Sequence, residues 1–291
     1  MNTDSSANMQ QKESSGWKAE LLLEFKNSRG KSILGHCRRM GPLTFQRPFY
    51  PEGEICHLYL LHPPGGIVGG DNIFFQARIK ENAHALITTP GATKFYRSAG
   101  AAANQKQNFF IDSDGILEWF PLETIIFPGA ILSAGTEVNL EVNSVFFGWD
   151  ILCLGRLVNK ELFNKGSLKN RFIIRRNGCP VYIDHIRINN DFEPGKELQC
   201  APGMRGFPVS AVFIATGVNK KMLKELRELP AISEDENNLC LKGMTLINDL
   251  LVARYSGNDP EEAKYYFIII WTYLRKAILK QNVCMPRIWA T

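Results

Sequence analysis

The sequence predicts a mainly β fold, with many short strands in a coiled or stacked architecture and a small C-terminal helical part. From about residue 17 to residue 216, β-branched and aromatic runs are bounded by Gly, Pro, Asn or Asp, with no helical pattern between them. Beyond residue 216 the apolar residues take helical spacing. These observations argue against an α/β fold and favour an antiparallel, sandwich-like or coiled, β-helix-like arrangement. No fixed-period repeat establishes a regular solenoid.

Seven runs in the first two thirds of the chain have the composition of strands. They are residues 18–26, 55–61, 72–80, 83–89, 115–120, 137–145 and 171–176. The run 137–145, EVNLEVNSV, alternates polar and apolar residues, which is typical of a strand with one face in solvent.

Three segments of the last third predict helices: 219–229, which Pro230 ends, then 243–254 and 259–280. In the third segment Asp259 suits the N-cap, Pro260 the first helical position, and Glu262 a capping box. One face of this helix is apolar, and Arg275, Lys276 and Lys280 suit its C-terminal end. The apolar face comprises Ala263, Phe267, Ile270, Trp271, Leu274, Ala277 and Ile278. We expect it to pack against the β part; a groove for a partner helix is the alternative.

Composition is that of a soluble globular protein, with 45% hydrophobic and 22% charged residues among 291. Residues 1–16 are polar and predict a flexible lead-in to a single domain over 17–291. The net charge of +5 comes without a long basic run, so nucleic acid is not an expected partner. No apolar stretch reaches the ~18 residues of a membrane span. Seven cysteines without a CxxC motif favour reduced thiols and a cytoplasmic location.

Common enzyme and metal signatures are missing. The triplet at residues 30–32, GKS, lacks the upstream glycine of a P-loop, and neither GxGxxG in a βαβ unit nor GxSxG occurs. The adjacent pairs His36-Cys37 and Cys56-His57 point to opposite faces of a strand, so neither pair chelates zinc locally. A metal site assembled from distant residues remains open.

A turn rich in proline and glycine follows the strand prediction 55–61. Its backbone path is set by His62, Pro63, Pro64, Gly65, Gly66, Gly69 and Gly70. Asp71 is the first carboxylate after it. Taken alone, this segment predicts a structural turn.

Three carboxylates stand beside large aromatic residues: Glu118, Glu123 and Asp150. A buried acid must be paired, protonated or bound to a cation, so these residues suit either a metal path or a glycosidase pair. Surface carboxylates next to core aromatics are the simpler alternative. Lys94 and Arg97 follow a Pro-Gly turn and could pair with such acids or hold an anion.

Four motifs resemble the urease accessory proteins called UreD, or UreH in some organisms. In chain order they are LHPPGGIVGGD (61–71), TTPGATKFYRS (88–98), LEWFPLETIIFPGA (117–130) and MPRIWAT (285–291). Residues 154–163 are similar to a further block of that family, with Lys160 where glycine is usual, and Met285 stands where arginine commonly precedes PRIW. These departures bear on local turns and surface, not on membership.

The resemblance implies a non-catalytic role: a nickel-insertion chaperone or scaffold that binds apo-urease and UreF, and through UreF the GTPase UreG. It also implies a coiled, predominantly β fold and Ni²⁺ as transient cargo in an internal tunnel, with no permanent cofactor. Weak oxygen or imidazole ligands suit such a path, because a complete cage would trap the ion. The path candidates are Asp71 and Asp150, then Thr93, Glu118, Glu123 and Asp184. The expected docking elements for UreF are the helix from Asp259 or the terminal tail with Arg287 and Trp289.

A carbohydrate-active β enzyme using Glu118 and Glu123 is the alternative from a different class. Residues five apart on one strand point to opposite faces, so this pair requires Pro121 to break the strand.

Overall fold

Two β-sheets contain most of the chain in the computed structural model, which describes residues 16–190, 195–233 and 240–290. The strands in chain order are β1 (Lys18–Ser28), β2 (Lys31–Met40), β3 (Thr44–Phe45), β4 (Cys56–Leu61), β5 (Asn72–Ile79), β6 (His84–Thr88), β7 (Thr93–Phe95), β8 (Ala103–Ile111), β9 (Ile116–Phe120), β10 (Thr124–Ile126), β11 (Ile131–Leu140), β12 (Val145–Arg156), β13 (Glu161–Leu162), β14 (Ser167–Arg176), β15 (Cys179–Asn189), β16 (Val209–Ala215), β17 (Leu241–Ile247) and β18 (Leu250–Gly257). The helices are α1 (Lys196–Gln199), α2 (Lys220–Arg227), α3 (Pro230–Ser233) and α4 (Pro260–Leu274). A π-helical turn, Arg275–Leu279, extends α4, and 3₁₀ turns cover Leu157–Asn159 and Arg287–Ala290.

The chain alternates between the sheets as it advances. The seven-stranded sheet has the order β15-β14-β11-β8-β5-β1-β2, and the main path of the eleven-stranded sheet is β17-β18-β16-β12-β9-β6-β4-β3. Neighbours from β1 through β5, β8 and β11 to β14 are parallel, as are β4, β6, β9 and β12. The predicted coiled, stacked β architecture is therefore confirmed. The predicted antiparallel pairing occurs only toward the edges of the sheets. In the middle the strands are parallel, because the chain enters each sheet in the same direction every time it returns to it.

The core has two layers, and the pleat of the eleven-stranded sheet divides them. On β12, Phe146 and Leu152 face the other sheet, whereas Phe147 and Trp149 face the helices. Side chains alternate in this way because successive residues of a strand point to opposite faces. Helix α4 covers the second face.

Six of the seven predicted strand runs each fall on one strand of the structure and extend beyond it by at most one residue at either end. The exception is 137–145, which the structure divides between the end of β11 and the first residue of β12. The turn between them contains Asn143 with a φ of 56°, in the left-handed region that asparagine tolerates. The polar–apolar alternation of the segment thus belongs to two strands of different sheets.

The prediction of a helix at 243–254 is wrong. This segment forms most of the β17–β18 hairpin, and Asn248 turns the chain with a φ of 56°. Every second residue of β17 is exposed, while Leu250 to Ala253 are buried on both faces of β18. Apolar residues in this short segment fitted helical spacing, but Leu250 and Val252 of β18 lie in the inter-sheet core and Leu251 and Ala253 lie in the core under the helices.

The other two helix predictions are confirmed. Asn219 caps α2 by accepting from the Met222 N–H at 3.0 Å, and Asp259 caps α4 by accepting from the Glu261 N–H at 2.9 Å. Pro230 begins α3 beyond the first of these helices. The capping box does not form, because the Glu262 carboxylate accepts from the Tyr255 hydroxyl at 2.8 Å instead. The apolar stripe of α4 is buried against the sheet, as expected.

Two general findings complete the description. No disulfide joins any of the seven cysteines. Among the described residues, no helix combines the length and the apolar character that crossing a membrane requires.

Candidate functional site

A cavity of about 420 Å³ lies between the two sheets. Gln105 and Gln107 of β8, Thr136 of β11 and Asn170 of β14 line one of its walls. The register places Gln105 and Asn170 in one row on either side of Ala134. The Thr136 hydroxyl donates to Gln107 Oε1 at 2.9 Å. Positions between stacked sheets are usually apolar, because unpaired polar groups cost free energy there. This polar row therefore marks a candidate site within the core.

Asp150 faces the same cavity from β12. The Asn170 Nδ2 donates to Asp150 Oδ2 at 2.7 Å. Burial raises the pKa of Asp150 to about 6; the Asn170 hydrogen bond opposes this shift and the charge of Asp184 adds to it. The carboxylate is enclosed by protein yet borders the cavity, and it is mostly ionised at neutral pH. Among the described residues it has no ion-pair partner, so it is a buried anion without a cation.

A second, small cavity continues from Asp150 toward the surface. It measures about 10 Å³, which is room for about one water molecule, and shares Asp150 and Asn170 with the larger cavity. Asp184 of β15 and Arg254 of β18 line its other side. Arg254 Nη1 pairs with Asp184 Oδ2 at 3.0 Å, and Arg254 Nη2 donates to the Tyr182 hydroxyl at 2.9 Å. This ion pair, half exposed on the arginine side, closes the far end of the cavity system.

The proline–glycine turn borders the opposite end. His62, Gly65, Gly66, Thr93 and Lys94 line the large cavity there. Burial lowers the pKa of His62, and the nearby charge of Asp71 opposes that shift. Gly66 has a steric reason to be glycine, since a Cβ atom would lie 2.1 Å from Tyr96 Cε2.

Asp71 itself does not line the cavity. Its Oδ1 accepts from the Trp17 N–H at 2.8 Å and its Oδ2 from the Val68 N–H at 3.0 Å. The carboxylate therefore braces the turn against the start of β1. Gly69 and Gly70 shape the same turn: a Cβ at Gly69 would lie 2.3 Å from Ser98 Oγ, and Gly70 has a φ of 97°.

Glu118 lies on the helix-covered face of the eleven-stranded sheet, opposite to the cavity. It is fully buried and hydrogen-bonds with His84 Nε2 at 2.7 Å, while Trp271 Nε1 donates to it at 2.5 Å. Arg275 Nη2 pairs with it at 3.2 Å. Burial raises the pKa of Glu118, but His84, Arg275 and Trp271 together outweigh burial and leave it lowered. This carboxylate is already satisfied.

Arg275 lies at the C-terminal end of α4, as predicted, but it has a role that the sequence did not reveal. Its side chain is fully buried. Its Nη1 and Nη2 bind Glu52 Oε2 and Oε1 at 2.6 and 2.8 Å, and Glu52 also contacts His57 Nε2 at 2.7 Å. Burial raises the pKa of Glu52, yet its hydrogen bonds with His57 and Arg275 lower it to about 2. A sequence signal existed, since Arg275 follows Trp271 by four residues on the buried stripe.

The remaining predicted residues lie apart from these clusters. Glu123 does not line the cavity; its carbonyl accepts from the Thr93 N–H at 3.0 Å. Arg97 is exposed and lies beside Gly129, where its Cγ is 3.0 Å from the position of an added Cβ. Glu118 and Glu123 do not share a cavity, so these two residues do not form a glycosidase pair.

The terminal tail packs against the sheet on the helix-covered face. Trp289 Nε1 donates to Thr88 Oγ1 at 2.9 Å, and its ring lies 5.4 Å from that of Trp149 and 5.9 Å from that of Trp271. Of the two residues expected at a docking site, Arg287 is exposed and Trp289 is partly buried.

No group of three His, Cys, Asp or Glu side chains is arranged to hold a metal ion within residues 16–190, 195–233 and 240–290.

Comparison with known proteins gives consistent results over nearly the whole chain. The family model described as "UreD urease accessory protein" matches residues 18–290. A protein of Alcanivorax borkumensis named "Urease accessory protein UreD" is 42% identical over 280 residues, which is 95% of this chain and 93% of that protein. A protein of the same name from Citrobacter koseri is 41% identical, over 95% of this chain and 92% of its own length. Another from Aliivibrio fischeri is 39% identical, over 96% of this chain and 98% of its own length.

Proposed function

Because this chain belongs to the UreD family of urease accessory proteins, we propose that it lets Ni²⁺ pass through its inter-sheet cavity during urease maturation. The protein serves as a non-catalytic scaffold in the cytoplasm. It binds apo-urease and a UreF-like protein, and through the latter a UreG-like GTPase. Nickel is transient cargo in this proposal, not a resident cofactor.

The observation that carries the proposal is the Asp150 carboxylate, which faces the cavity beside its one polar wall and forms no ion pair with any described residue. A divalent cation would relieve the cost of burying that charge. The surrounding wall adds amide and hydroxyl oxygens of Gln105, Gln107, Thr136 and Asn170. One carboxylate with neutral oxygen ligands holds a borderline metal only weakly, which suits an ion that must leave again.

The cavity lining suggests a route. Nickel enters near His62 and Thr93, passes Asp150, and leaves past Asp184. Arg254 occupies the Asp184 carboxylate, so exit requires this ion pair to open, for example on binding a partner. Asp71 is not part of the route, because its two carboxylate oxygens accept hydrogen bonds from backbone N–H groups. Glu118 is not part of it either, because buried side chains already bind its carboxylate. Glu123 lies outside the lining.

Partner docking is proposed at the helical side of the molecule. Arg287 is exposed there and suits contact with a UreF-like protein. Trp289 instead anchors the tail through Thr88 and the aromatic core. Tyr265, on the outer side of α4, is a large exposed ring on the same layer.

Asp150→Asn tests nickel passage, with the variant co-expressed with urease subunits and the other accessory proteins. We expect the complexes to be recovered intact, while the nickel content and activity of urease fall about tenfold or more. Asp150→Glu retains the charge and should keep part of the function. Glu141→Gln, an exposed carboxylate outside the cavity, is the matched control. Normal nickel loading by Asp150→Asn would refute the proposed route.

A further inference from the structure

The outer face of the seven-stranded sheet, which points away from the cavity, carries a basic patch: Lys106, Lys169, Arg171 and Arg187. All four side chains are exposed, because their inward neighbours on each strand supply the core. Lys106 and Arg171 both lie in register with Gly135 of β11, and Lys169 lies in register with Arg187. With neighbouring strands about 4.8 Å apart, the patch spans about 15 Å across β8, β11, β14 and β15.

The charges of the basic patch are not neutralised by the described part of the chain. None of its four members forms an ion pair with a described residue, and Glu137, the nearby acid, is held by Arg175 at 2.7 Å. In the same register rows Asn104, Ser133 and Asn72 are uncharged. Glu20 lies two strands from Lys106 in its row and pairs with Arg38 at 3.6 Å. Four exposed cations without anions favour an anionic ligand.

A groove of about 520 Å³ runs along this face, lined by Lys106 and Arg171 of the patch and by Glu137, with Gly135 in its floor. Lys169 lies in register with Ser133, which also lines the groove. A Cβ atom on Gly135 would contact only the Arg171 carbonyl oxygen, at an ordinary 3.6 Å. Its φ also lies outside the left-handed region. Neither the backbone conformation nor packing within the chain therefore requires glycine, although glycine weakens a strand. A strand glycine of this kind is typical of a place where another molecule approaches the backbone closely.

We propose that this groove docks an acidic segment of a partner protein. Carboxylates of the segment would contact the basic patch while its backbone lies over Gly135. Val181 and Ile183, which are 36% and 52% exposed on the outer face of β15, provide an apolar rim beside the cations. That rim favours a protein over a nucleic acid, because apolar side chains contribute nothing to phosphate binding but are common at protein interfaces. The four cations lie on the opposite face of the sheet from the proposed nickel route, since none of them lines the inter-sheet cavity, although Gly135 borders both spaces.

Binding of labelled probes to the full chain tests the proposal by fluorescence anisotropy. The probes are a short peptide rich in Glu and Leu, the same peptide with Gln in place of Glu, and a single-stranded DNA oligonucleotide. We expect the acidic peptide to bind more tightly than the other two probes. Its affinity should fall as the salt concentration is raised. The combined variant Lys106→Gln, Lys169→Gln, Arg171→Gln and Arg187→Gln should weaken binding about tenfold or more.

Two further variants separate the groove from general charge. One control removes the same total charge from exposed lysines elsewhere on the surface by changing each of them to Gln: Lys160, Lys165, Lys220 and Lys276. The affinity of this control for the acidic peptide should stay at the wild-type value. Gly135→Gln keeps the charge but fills the groove, and should weaken binding about fivefold. The proposal fails if the wild type does not bind the acidic peptide. It fails as well if the four-lysine control loses as much affinity for the peptide as the patch variant does. It also fails if DNA binding alone depends on the patch.

Discussion

The pKa of Asp150 is raised and that of Glu118 is lowered, although both carboxylates lie on neighbouring strands of one sheet. Both are buried, and burial alone raises the pKa of each. The difference comes from their partners: Glu118 contacts a histidine and a guanidinium, whereas Asp150 receives only the Asn170 amide. Which face of the pleat a carboxylate occupies therefore determines its charge environment.

Asp150→Asn should stabilise the protein at neutral pH by about 1–3 kcal/mol, at about 1.36 kcal/mol per pKa unit. The pKa of Asp150 is about 6 in the folded protein against 3.8 as the reference value, so its ionisation opposes folding. That cost is absent below pH 4, grows between pH 4 and 6, and is complete above pH 6. Urea unfolding at several pH values measures the gain. A gain that did not shrink toward pH 4 would contradict this account.

Arg275→Leu should destabilise the protein by about 3–5 kcal/mol, because it leaves Glu52 and Glu118 buried without their guanidinium. The pKa of Glu52 is lowered from 4.5 to about 2, so its stabilising contribution is present above pH 4.5 and is lost as pH falls toward 2. The difference in the free energy of unfolding between wild type and variant should therefore become smaller as the pH falls from 4.5 to 2. Chemical denaturation at each pH is the measurement.

Lys276→Gln is the matched control for this prediction, since the neighbouring residue is exposed. Its effect should stay within about 0.5 kcal/mol. Equal losses in the two variants would show that the π-helical turn, and not the buried ion cluster, accounts for the effect.

At the scale of elements, helix α4 could be predicted almost completely from sequence. Its cap, its initial proline and its apolar stripe are local signals, and local signals do not depend on where the rest of the chain lies. The β17–β18 hairpin could not be predicted in this way. Strand β18 is buried on both faces by distant layers of the core, and its partner β16 lies more than thirty residues earlier. The same limit applies to Arg275, whose partner Glu52 is 223 residues away.

Trp289→Ala should cost about 2 kcal/mol of stability, because the tail loses ring packing against Trp149 and Trp271 together with a hydrogen bond to Thr88. Arg287→Ala, in the same 3₁₀ turn but exposed, should change stability by less than about 0.5 kcal/mol. Thermal unfolding of the two variants distinguishes them. If both were neutral, the tail would contribute nothing to the fold and Trp289 would be available to a partner.

At the scale of the whole molecule, the strand pattern predicted a mainly β architecture, sandwich-like or coiled, whereas it did not predict the parallel pairing. Many short strands between turn residues are compatible with either direction, and direction is decided by how each turn passes the chain to the other sheet. The candidate site shows the same division. Asp150 could be named from its aromatic neighbours, but Asn170, Gln105 and Gln107 join it only through coils that sequence spacing does not reveal.

Hydrogen exchange should follow the position of strands in the sheets. The amides of β5, β8 and β11, and of β6, β9 and β12, lie between two paired neighbours and should open only with global unfolding. Strands β2, β15 and β17 lie at or near sheet edges and should exchange by local opening. Exchange measured by mass spectrometry on the intact protein checks this order. Faster exchange in β8 than in β15 would contradict it.

The cluster around Arg275 gives the helix-covered side of this protein a cation of its own. In a small zinc domain the metal is part of the folded state, and removing it unfolds the chain. Here the cation that neutralises Glu52 and Glu118 is a side chain of the protein itself. Metal chelators should therefore leave this cluster and the packing of α4 unchanged.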